Sequence, residues 1–344
     1  MVEVEDIMGK ITIKEVAKRA NVSTATVSRV LNNNYPVSDE ARNEVLKAAS
    51  ELNYKPNGVA RSLKKNKTNL IGIIVADISN PFFMNVSKGI ESVVSKEKYN
   101  LILSSSDESQ DKEITLLNMM LEKKVDGIIM APSNIDSLEI KSIISSGIKL
   151  VLVDRKVEGI TVDYIANDNL NGAFSLTEDL IRKGHRDIAI VNGCLNVTTA
   201  IERFDGYKAA MNKYGIKIDE DFILPGEYST SMAFVETINL IKKGKFPTAI
   251  VSSNNSMTEG VMKALKSENL RIPEDISLVS FGEIANQEFI EPKIKSIRQN
   301  PFLMGQKAGE VILDKINGKS KDDNFKEVLL LNEFSEGNSI KSLI

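Results

Sequence analysis

The sequence has few of the residues on which metal sites, disulfides and most nucleophilic active sites depend. Its 344 residues include one cysteine, Cys194, one histidine, His185, and no tryptophan. A single cysteine excludes an intrachain disulfide, and one cysteine with one histidine argues against a zinc site. No nucleophile has an evident histidine base, and neither a dinucleotide-binding nor a phosphate-binding glycine motif occurs. We therefore expect no enzyme, no metal and no other cofactor.

We expect the cysteine and the histidine to have structural roles. Cys194 is expected to be a small, buried hydrophobic side chain. His185 lies in RKGHR at residues 182–186, at the end of a predicted helix. At that position we expect a structural cation that interacts with the helix dipole.

Long apolar runs are missing as well. The sequence has no stretch of about 18 apolar residues that could span a membrane, and its acidic N-terminus lacks the features of a secretory signal peptide. Its 42% hydrophobic and 26% charged residues are ordinary for a soluble globular protein. We therefore expect a cytoplasmic protein with no membrane partner, and the length predicts two or three domains.

Positive charge is concentrated near one end of the chain. Residues 10–68 contain 12 Lys and Arg against 5 acidic residues, whereas residues 69–344 contain 32 basic and 39 acidic residues. A basic end on an acidic body is typical of a protein that meets phosphates with that end only.

The basic segment begins with the pattern of three short helices. Thr12 and Glu15 are spaced as a capping box, in which each side chain satisfies a backbone amide of the other residue. Asn21 suits a tight turn, Ser23 is placed to cap a second helix, and Ser38 is placed to cap a third. Two short helices joined by a tight turn predict a helix–turn–helix.

The second predicted helix exposes small side chains and one long cation. Thr24, Ala25 and Ser28 would let the helix approach the major groove of DNA closely. Arg29 is suited to pair with guanine O6 and N7. Taken alone, this segment also fits an unrelated small helical bundle.

Residues 56–63 are helix-like, but isolated helices under about 12 residues are marginal in water. We expect them to order against DNA, with Leu63 wedged into a minor-groove step and the lysines that follow on the phosphates. A flexible charged linker describes the DNA-free state equally well.

Together these segments resemble the lactose repressor (LacI) family of bacterial transcription regulators. The resemblance rests on ITIKEVAKRA at 11–20, VSTATVSRVLN at 22–32, LNYKPNGVARSL at 52–63 and DISNPFF at 77–83, and it covers nearly the whole chain from about residue 10. It implies a homodimer that binds double-stranded operator DNA. The DNA-binding residues expected are Thr12, Ser23, Thr24, Ala25, Thr26, Ser28, Arg29, Asn32, Ser38, Asn57, Ala60, Leu63 and Lys64.

From residue 70 onward, short apolar segments alternate with longer amphipathic ones. Strands are predicted at residues 70–75, 100–104, 127–130, 149–153, 187–191, 248–251 and 276–280. Continuous runs of Val, Ile and Leu followed by amphipathic helices indicate buried parallel strands with crossover helices. The predicted fold class is therefore an all-α helix–turn–helix headpiece plus a doubly wound α/β body, in which ligands bind outside the carboxyl ends of the strands.

The resemblance implies that this body has two subdomains like those of periplasmic sugar-binding proteins, with a cleft between them. The expected boundaries are a headpiece at 10–56, a hinge helix and linker at 57–68, and an effector-binding and dimerisation domain at 69–344. Within that domain, an N-subdomain would comprise about 69–167 and 299–331, and a C-subdomain about 168–298 and 332–344. Asp168 matches a crossover position and is expected to be structural.

The resemblance also assigns side chains to the cleft. Phe83 matches the residue that stacks on an effector ring, and Arg203 matches the effector-binding arginine. Where many family members have an acidic residue, this chain has Gly282, with Glu283 beside it, so the effector cannot be copied from a sugar-binding relative. The complete expected set is Phe82, Phe83, Thr199, Arg203, Tyr228, Asn254, Gly282 and Glu283.

These observations favour a dimeric repressor of a carbohydrate-utilisation operon, controlled by a sugar, sugar phosphate or nucleoside-like effector. A second interpretation is a global regulator resembling catabolite control protein A, whose corepressor is a phosphorylated carrier protein. The segment SSSDESQDKE at 104–113 is similar to that branch. A sugar-binding transport protein is a remote third interpretation, which the headpiece and the absent signal peptide oppose.

Overall fold

The computed structural model describes residues 11–32, 36–54, 67–134, 138–319 and 325–344. The chain divides into two compact units, Met1–Thr68 and Asn69–Ile344. Within the described ranges, no helix is both long and apolar enough to cross a membrane. The predicted hinge helix lies outside the described residues, as do Asn57, Ala60, Leu63 and Lys64.

The described residues of the first unit form three helices, α1 (Ile13–Arg19), α2 (Thr24–Asn32) and α3 (Asp39–Glu51). Asn21 makes the turn between α1 and α2 with a left-handed φ of 50°, as its position predicts. The core consists of small apolar side chains from all three helices, namely Val16, Ala17, Ala20, Val27, Val30, Val45, Ala48 and Ala49. These short helices are stabilised by packing on one another, because none is long enough to be stable alone.

The second unit contains two six-stranded sheets. The first has the order β11-β5-β4-β3-β1-β2 and is parallel throughout. Its strands are β1 (Leu70–Val75), β2 (Asn100–Ser105), β3 (Gly127–Met130), β4 (Lys149–Val153), β5 (Asp163–Asn167) and β11 (Glu327–Leu330). Helices α4 (Pro81–Val94), α5 (Gln110–Glu122), α6 (Leu138–Ser145) and α11 (Pro301–Ile316) accompany it.

The second sheet has the order β12-β10-β9-β8-β6-β7, and only its edge strand β12 is antiparallel. Its strands are β6 (Ile188–Asn192), β7 (Ile223–Pro225), β8 (Ala249–Ser252), β9 (Ser277–Phe281), β10 (Lys295–Arg298) and β12 (Glu333–Ser335). Its helices are α7 (Asn169–Arg182), α8 (Thr198–Lys213), α9 (Thr230–Lys242) and α10 (Asn255–Ser267). The central strands β6, β8 and β9 are completely buried, which explains their continuous apolar sequences.

The chain passes between the two sheets three times, after Asn167, after Arg298 and after Leu330. At the first passage the Asp168 carboxylate caps α7 by accepting a hydrogen bond from the Asn171 amide at 3.1 Å. Asn332, at the third passage, donates its side-chain amide to the Asp168 carbonyl at 2.5 Å. The first and third passages are thus tied to each other. The carboxyl ends of the strands of the two sheets line a common cleft.

The histidine and the cysteine differ from their expected roles. His185 is buried, and its Nδ1 and Nε2 lie 2.9 Å from Thr248 Oγ1 and 3.0 Å from the Lys341 carbonyl oxygen. Burial lowers its pKa, with a smaller contribution from nearby Lys183, so the expected structural cation is wrong. Cys194 is only partly buried.

Candidate functional site

Helix α2 has one buried face and one exposed face. Val27 and Val30 are 0% and 6% exposed and hold the helix on the core of the first unit. Thr24, Ala25 and Arg29 are exposed, as the apolar spacing predicts. A helix that presents small side chains and one guanidinium has the shape and chemistry for the major groove of DNA.

Three of the predicted DNA contacts also cap helices. The Thr12 amide donates to the Glu15 carboxylate at 2.6 Å, and Ser23 Oγ accepts from the Thr26 amide at 3.1 Å. Ser38 Oγ accepts from the Ala41 amide at 3.3 Å. These capping hydrogen bonds fix where each helix begins and therefore which N-terminal amides can contact DNA. Thr26 and Ser28 are partly buried.

The cleft of the second unit contains a small cavity of about 50 Å³, which we call the inner pocket. It lies where β1, β4, β8 and their neighbours end, as expected for an open parallel sheet. Its lining residues are Asp77, Asn80, Phe82, Phe83, Glu108, Asp154, Arg155, Thr199, Arg203, Tyr228, Asn254, Asn255 and Gln299. Six of the eight predicted effector residues are among them.

Arg203 is held rigidly against the inner pocket. Its Nε donates to Asn169 Oδ1 at 2.9 Å, and its Nη1 donates to the Ser253 carbonyl at 2.7 Å. The guanidinium carbon lies 3.9 Å from the centre of the Phe281 ring, so the group is also stacked. Since Nη2 has no hydrogen bond to a described residue, one side of the guanidinium remains available to a ligand.

A second buried guanidinium belongs to Arg155. Its Nη1 and Nη2 form a two-point pair with the Glu108 carboxylate at 2.6 and 2.7 Å. Burial is the largest single effect and opposes its charge, but Glu108, Tyr228 and Asp154 together outweigh burial and raise the pKa of Arg155. Its Nε is buried without a hydrogen-bond partner among the described residues, and it lies 3.8 Å from an Asp154 carboxylate oxygen.

Asp154 is the most unusual group of the cleft. The residue is 5% exposed, and its carboxylate has no hydrogen bond to a described residue. Burial raises the pKa of this carboxyl, and the charges of Arg203 and Arg155 offset that effect only in part. A buried carboxylate with unused acceptor positions between two guanidinium groups is a natural place for a ligand.

Tyr228 forms the wall opposite Arg155. Its hydroxyl lies 2.7 Å from Thr199 Oγ1, and the Arg155 guanidinium carbon lies 5.0 Å from the centre of its ring. A Cβ on Gly193 would fall 2.3 Å from the Tyr228 ring, so only glycine allows the ring to lie there. Thr199 and Tyr228 thus lie together at the pocket, as the resemblance implies.

The two aromatic residues differ in exposure. Phe83 is 5% exposed and belongs to the core of the first sheet, whereas Phe82 is partly buried. Their rings meet edge to face, with centres 5.1 Å apart. Both line the inner pocket. Because Phe82 has more surface free, it is better placed to stack on a ligand than Phe83, for which the resemblance implies the stronger role.

Asn254 has a structural task at the inner pocket. Its Oδ1 caps α10 by accepting from the Met257 amide at 2.7 Å. Its amide nitrogen and the second lone pair of Oδ1 are left for a ligand.

Gly282 and Glu283 are not among the lining residues. Gly282 has a left-handed φ of 96°, and a Cβ there would fall 3.0 Å from Gln299 Oε1. Gln299 therefore occupies the side of the cleft that an acidic side chain at 282 would take. Glu283 turns to the surface, where its carboxylate accepts from Arg298 Nε at 3.2 Å. This placement does not support a shifted carboxylate from Glu283.

Hydrogen bonds join the two walls of the cleft. Asn80 and Asn255 form a reciprocal amide pair, with donor–acceptor distances of 3.2 and 3.0 Å. On the other side, the Lys156 amide donates to Thr198 Oγ1 at 3.0 Å. The cleft therefore has direct contacts across it near the inner pocket.

Sequence reasoning missed seven of the lining residues, namely Asp77, Asn80, Glu108, Asp154, Arg155, Asn255 and Gln299. A usable signal existed for Asp154 and Arg155, because they directly follow a strand predicted to end at residue 153. Glu108 was noticed only as part of a segment similar to catabolite control protein A. No pattern in the sequence indicates that it pairs with Arg155, which lies 47 residues away.

A three-helix unit with a helix–turn–helix and a two-sheet unit with a polar cleft together define a DNA-binding transcription regulator with a ligand-binding domain. Comparison with known families identifies it further. Residues 12–57 match the model of bacterial regulatory proteins, lacI family, and residues 68–334 match the model of periplasmic binding proteins and the sugar-binding domain of the LacI family. The chain belongs to the LacI family, which confirms the resemblance and the predicted fold class.

Similar proteins are transcriptional regulators. The chain is 35% identical to the HTH-type transcriptional repressor PurR of Vibrio atlanticus (strain LGP32), over 96% of this chain and 99% of that protein. It is 33% identical to catabolite control protein A of Priestia megaterium, over 92% and 96% of the two chains. A LacI family transcriptional regulator from Enterococcus faecium, solved with bound ribose, is 27% identical with a TM-score of 0.71, over 80% and 100% of the chains.

Proposed function

We propose that this LacI-family repressor controls a carbohydrate-utilisation operon. It binds a palindromic operator as a homodimer, and a small polyhydroxylated molecule in the cleft sets its affinity for DNA. Helix α2 reads each half-site through its exposed face, with Arg29 as the base-reading side chain. The excess of basic residues in 10–68 supplies the phosphate contacts. We place its action in the cytoplasm, on DNA, and assign the cleft no catalytic role.

The observation that carries this proposal is the unused hydrogen-bonding capacity of Asp154 and the two guanidinium groups. A ligand hydroxyl donates to the carboxylate and accepts from a guanidinium at the same time. Three carboxylates, Asp77, Glu108 and Asp154, line the inner pocket with only two cations among the described residues. A phosphate or carboxylate ligand would therefore gain little from the charge of this pocket, whereas a sugar matches its hydrogen-bonding groups.

The test begins with a thermal-shift screen of the full chain against neutral sugars, sugar phosphates and nucleosides. A ligand that raises the melting temperature is then added to the complex with operator DNA, and the affinity is followed by fluorescence anisotropy. We expect a neutral sugar to stabilise the protein and to change its operator affinity. Stabilisation by sugar phosphates or nucleosides alone would contradict the proposal.

A second candidate is a global regulator that uses a phosphorylated carrier protein as its corepressor. The similarity to catabolite control protein A favours it. However, Glu108 in the segment at 104–113 is engaged with Arg155 inside the cleft, and Asp107 pairs with Lys112. That segment therefore supports a role in the cleft better than one in carrier binding. Retention of the phosphorylated carrier protein on immobilised repressor, and not of its unphosphorylated form, would favour the second candidate.

A further inference from the structure

The guanidinium of Arg155 already holds a carboxylate inside the cleft. Its Nη1 and Nη2 donate to the two carboxylate oxygens of Glu108 at 2.6 and 2.7 Å, and the Arg155 side chain is 3% exposed. Two-point pairing of this kind is how arginine recognises carboxylates and phosphates. The end of Arg155 that could receive an anionic ligand is therefore occupied by a side chain of the protein itself.

The loop between β2 and α5 fixes Glu108 in this place. Asp107 and Glu108 have left-handed φ angles of 51° and 57°, a conformation that residues other than glycine rarely adopt. The Glu108 amide donates to the Ala76 carbonyl at 3.2 Å. Asp107 accepts a hydrogen bond from Ser105 Oγ at 2.5 Å and pairs with Lys112. The backbone thus positions the Glu108 carboxylate, in addition to its attraction to the guanidinium.

This pairing sets the charge that a ligand meets in the inner pocket. With Glu108 in place, three carboxylates and two guanidinium groups line the pocket among the described residues. Removal of Glu108 would leave two of each and would free two donor nitrogens of Arg155. Because a buried guanidinium without a partner is costly, Arg155 would then take up a small anion from solution.

A small anion has a path to this pair and a space to fill. The Glu108 side chain is 25% exposed, and it lines a larger cavity of about 820 Å³ as well as the inner pocket. Truncation of Glu108 to alanine removes a methylene group and the carboxylate, which together have the heavy atoms of acetate. Acetate therefore matches both the shape and the charge of what is removed.

We infer that Glu108 is a specificity-determining residue of the cleft, which excludes anionic molecules by occupying the anion-binding end of Arg155. A sugar phosphate or an organic acid would have to displace a two-point pair that the loop holds in place. An uncharged molecule does not compete for Arg155 in this way. This inference rests on the proposed function, because it explains how the same cleft selects an uncharged ligand.

Rescue by acetate tests the inference on the full chain. The melting temperature is measured across an acetate series in which sodium chloride keeps the ionic strength constant, and the dissociation constant follows from its rise. Glu108→Ala should melt below the wild type in chloride and should bind acetate at least ten-fold more tightly than the wild type does. Glu108→Gln keeps the space filled and should gain no acetate binding.

Two further variants separate binding at Arg155 from an effect of net charge. Asp107→Asn removes one negative charge from the same loop without freeing a guanidinium, so it should respond to acetate like the wild type. Arg155→Met, added to Glu108→Ala, removes the group that would hold the acetate, and the gained affinity should disappear. Acetate affinity that Asp107→Asn gains, or that the double variant keeps, would assign acetate to another site and overturn the inference.

The outcomes also separate the inference from the proposed function. If neutral sugars stabilise the wild type but Glu108→Ala gains no acetate affinity, Glu108 does not set the charge selection and the proposed function stands. If the acetate affinity is gained but no neutral sugar binds, the inference holds and the proposed effector class fails. Should Glu108→Ala be unfolded in chloride, refolding replaces the melting curve. Recovery in acetate alone then supports the inference, and no recovery contradicts it.

Discussion

At the scale of single residues, Arg203 combines burial, stacking and two hydrogen bonds in one side chain. Asn169, Ser253 and the Phe281 ring fix the guanidinium, and its remaining nitrogen is left for a ligand. Because the planar guanidinium is already held in place, it loses little conformational freedom when it binds a ligand. Arginine is therefore better suited to this position than lysine. The residue therefore offers a sharp test of the cleft.

Arg203→Lys should reduce effector affinity by a factor of roughly 10 to 100, because it removes a charged hydrogen bond worth about 1.5–3 kcal/mol. Operator affinity without effector should stay within two-fold, since the helix–turn–helix is a separate compact unit. Fluorescence anisotropy with labelled operator, at several effector concentrations, measures both quantities. Lys307→Arg, at an exposed position outside the pocket, is the control. A wild-type response in Arg203→Lys would remove Arg203 from the effector site.

His185 should make the folded state sensitive to mild acid. Burial lowers its pKa in the folded protein below the ordinary value of 6.5, so the unfolded chain binds more protons between the two values. The stabilisation is thus complete above about pH 6.5 and is lost as the pH falls below it. Urea unfolding at intervals from pH 7.5 to 5 should show this loss, and His185→Gln should flatten the slope. Equal slopes in both proteins would show that other groups cause it.

Some residues of the inner pocket could be predicted from the sequence, and others could not. The resemblance to a known family indicated Arg203, Thr199 and Tyr228, which do meet at one pocket. It did not indicate Arg155 or Gln299, because their positions depend on contacts between distant parts of the chain. Gln299, for example, occupies the space beside Gly282, and this placement can be seen only in the folded structure.

At the scale of elements, α2 depends on a clear division between its buried and exposed faces. Arg29→Ala should weaken binding to the cognate operator by about 1–3 kcal/mol and relax the sequence preference, because a base-edge contact is lost. Lys64→Ala, in the predicted linker, should instead weaken binding to all DNA and reduce the salt dependence. Titrations on operator and on random DNA at three salt concentrations separate the two effects. Equal losses on both DNAs for Arg29→Ala would refute the role of α2 as the recognition helix.

The contact between α4 and α10 gives a second prediction at this scale. Asn255→Ala removes both hydrogen bonds of the pair with Asn80, which together span the cleft. Because each of these two neutral hydrogen bonds contributes about 0.5–1.5 kcal/mol, closing the cleft should become harder and effector affinity should fall by a factor of roughly 5 to 150. Ser256→Ala, which loses only a 3.4 Å contact with Asn80, is the matched control. Unchanged calorimetric affinity in Asn255→Ala would mean that the pair does not favour the closed cleft.

The strands that sequence analysis predicted are six interior strands, β1, β3, β4, β6, β8 and β9, and the edge strand β2. Each of those seven segments contains a strand, with ends shifted by at most one residue. The missed strands are β5, β7, β10, β11 and β12. Four of these are short or lie at sheet edges, and β5 reads DYIAN because its Asp163 is buried in an ion pair with Lys315 at 2.6 Å. A strand that contains a buried polar residue, paired with a side chain far away in the sequence, is therefore not found by a search for apolar runs.

At the scale of the whole molecule, the expected assembly is a dimer. The last ten residues pack against the second sheet and its first helix, where Ser339 Oγ donates to the Leu278 carbonyl at 2.6 Å and the Leu343 amide donates to the Lys183 carbonyl at 2.8 Å. Because two half-sites are read by two copies of the recognition helix, light scattering on the full chain should give twice the mass of 38.0 kDa. A tetramer, or a monomer at micromolar concentration, would contradict this expectation.

The three passages between the sheets have a consequence for how the protein is made. The first sheet needs β11 from residues 327–330 and the second needs β12 from residues 333–335, so neither is complete until these residues have been made. At roughly 5–20 residues per second, translation of the second unit takes on the order of tens of seconds after the helix–turn–helix has been made. During that interval the nascent chain carries a DNA-binding unit without a finished cleft. Regulation by the effector begins only when the ribosome has delivered the last strands.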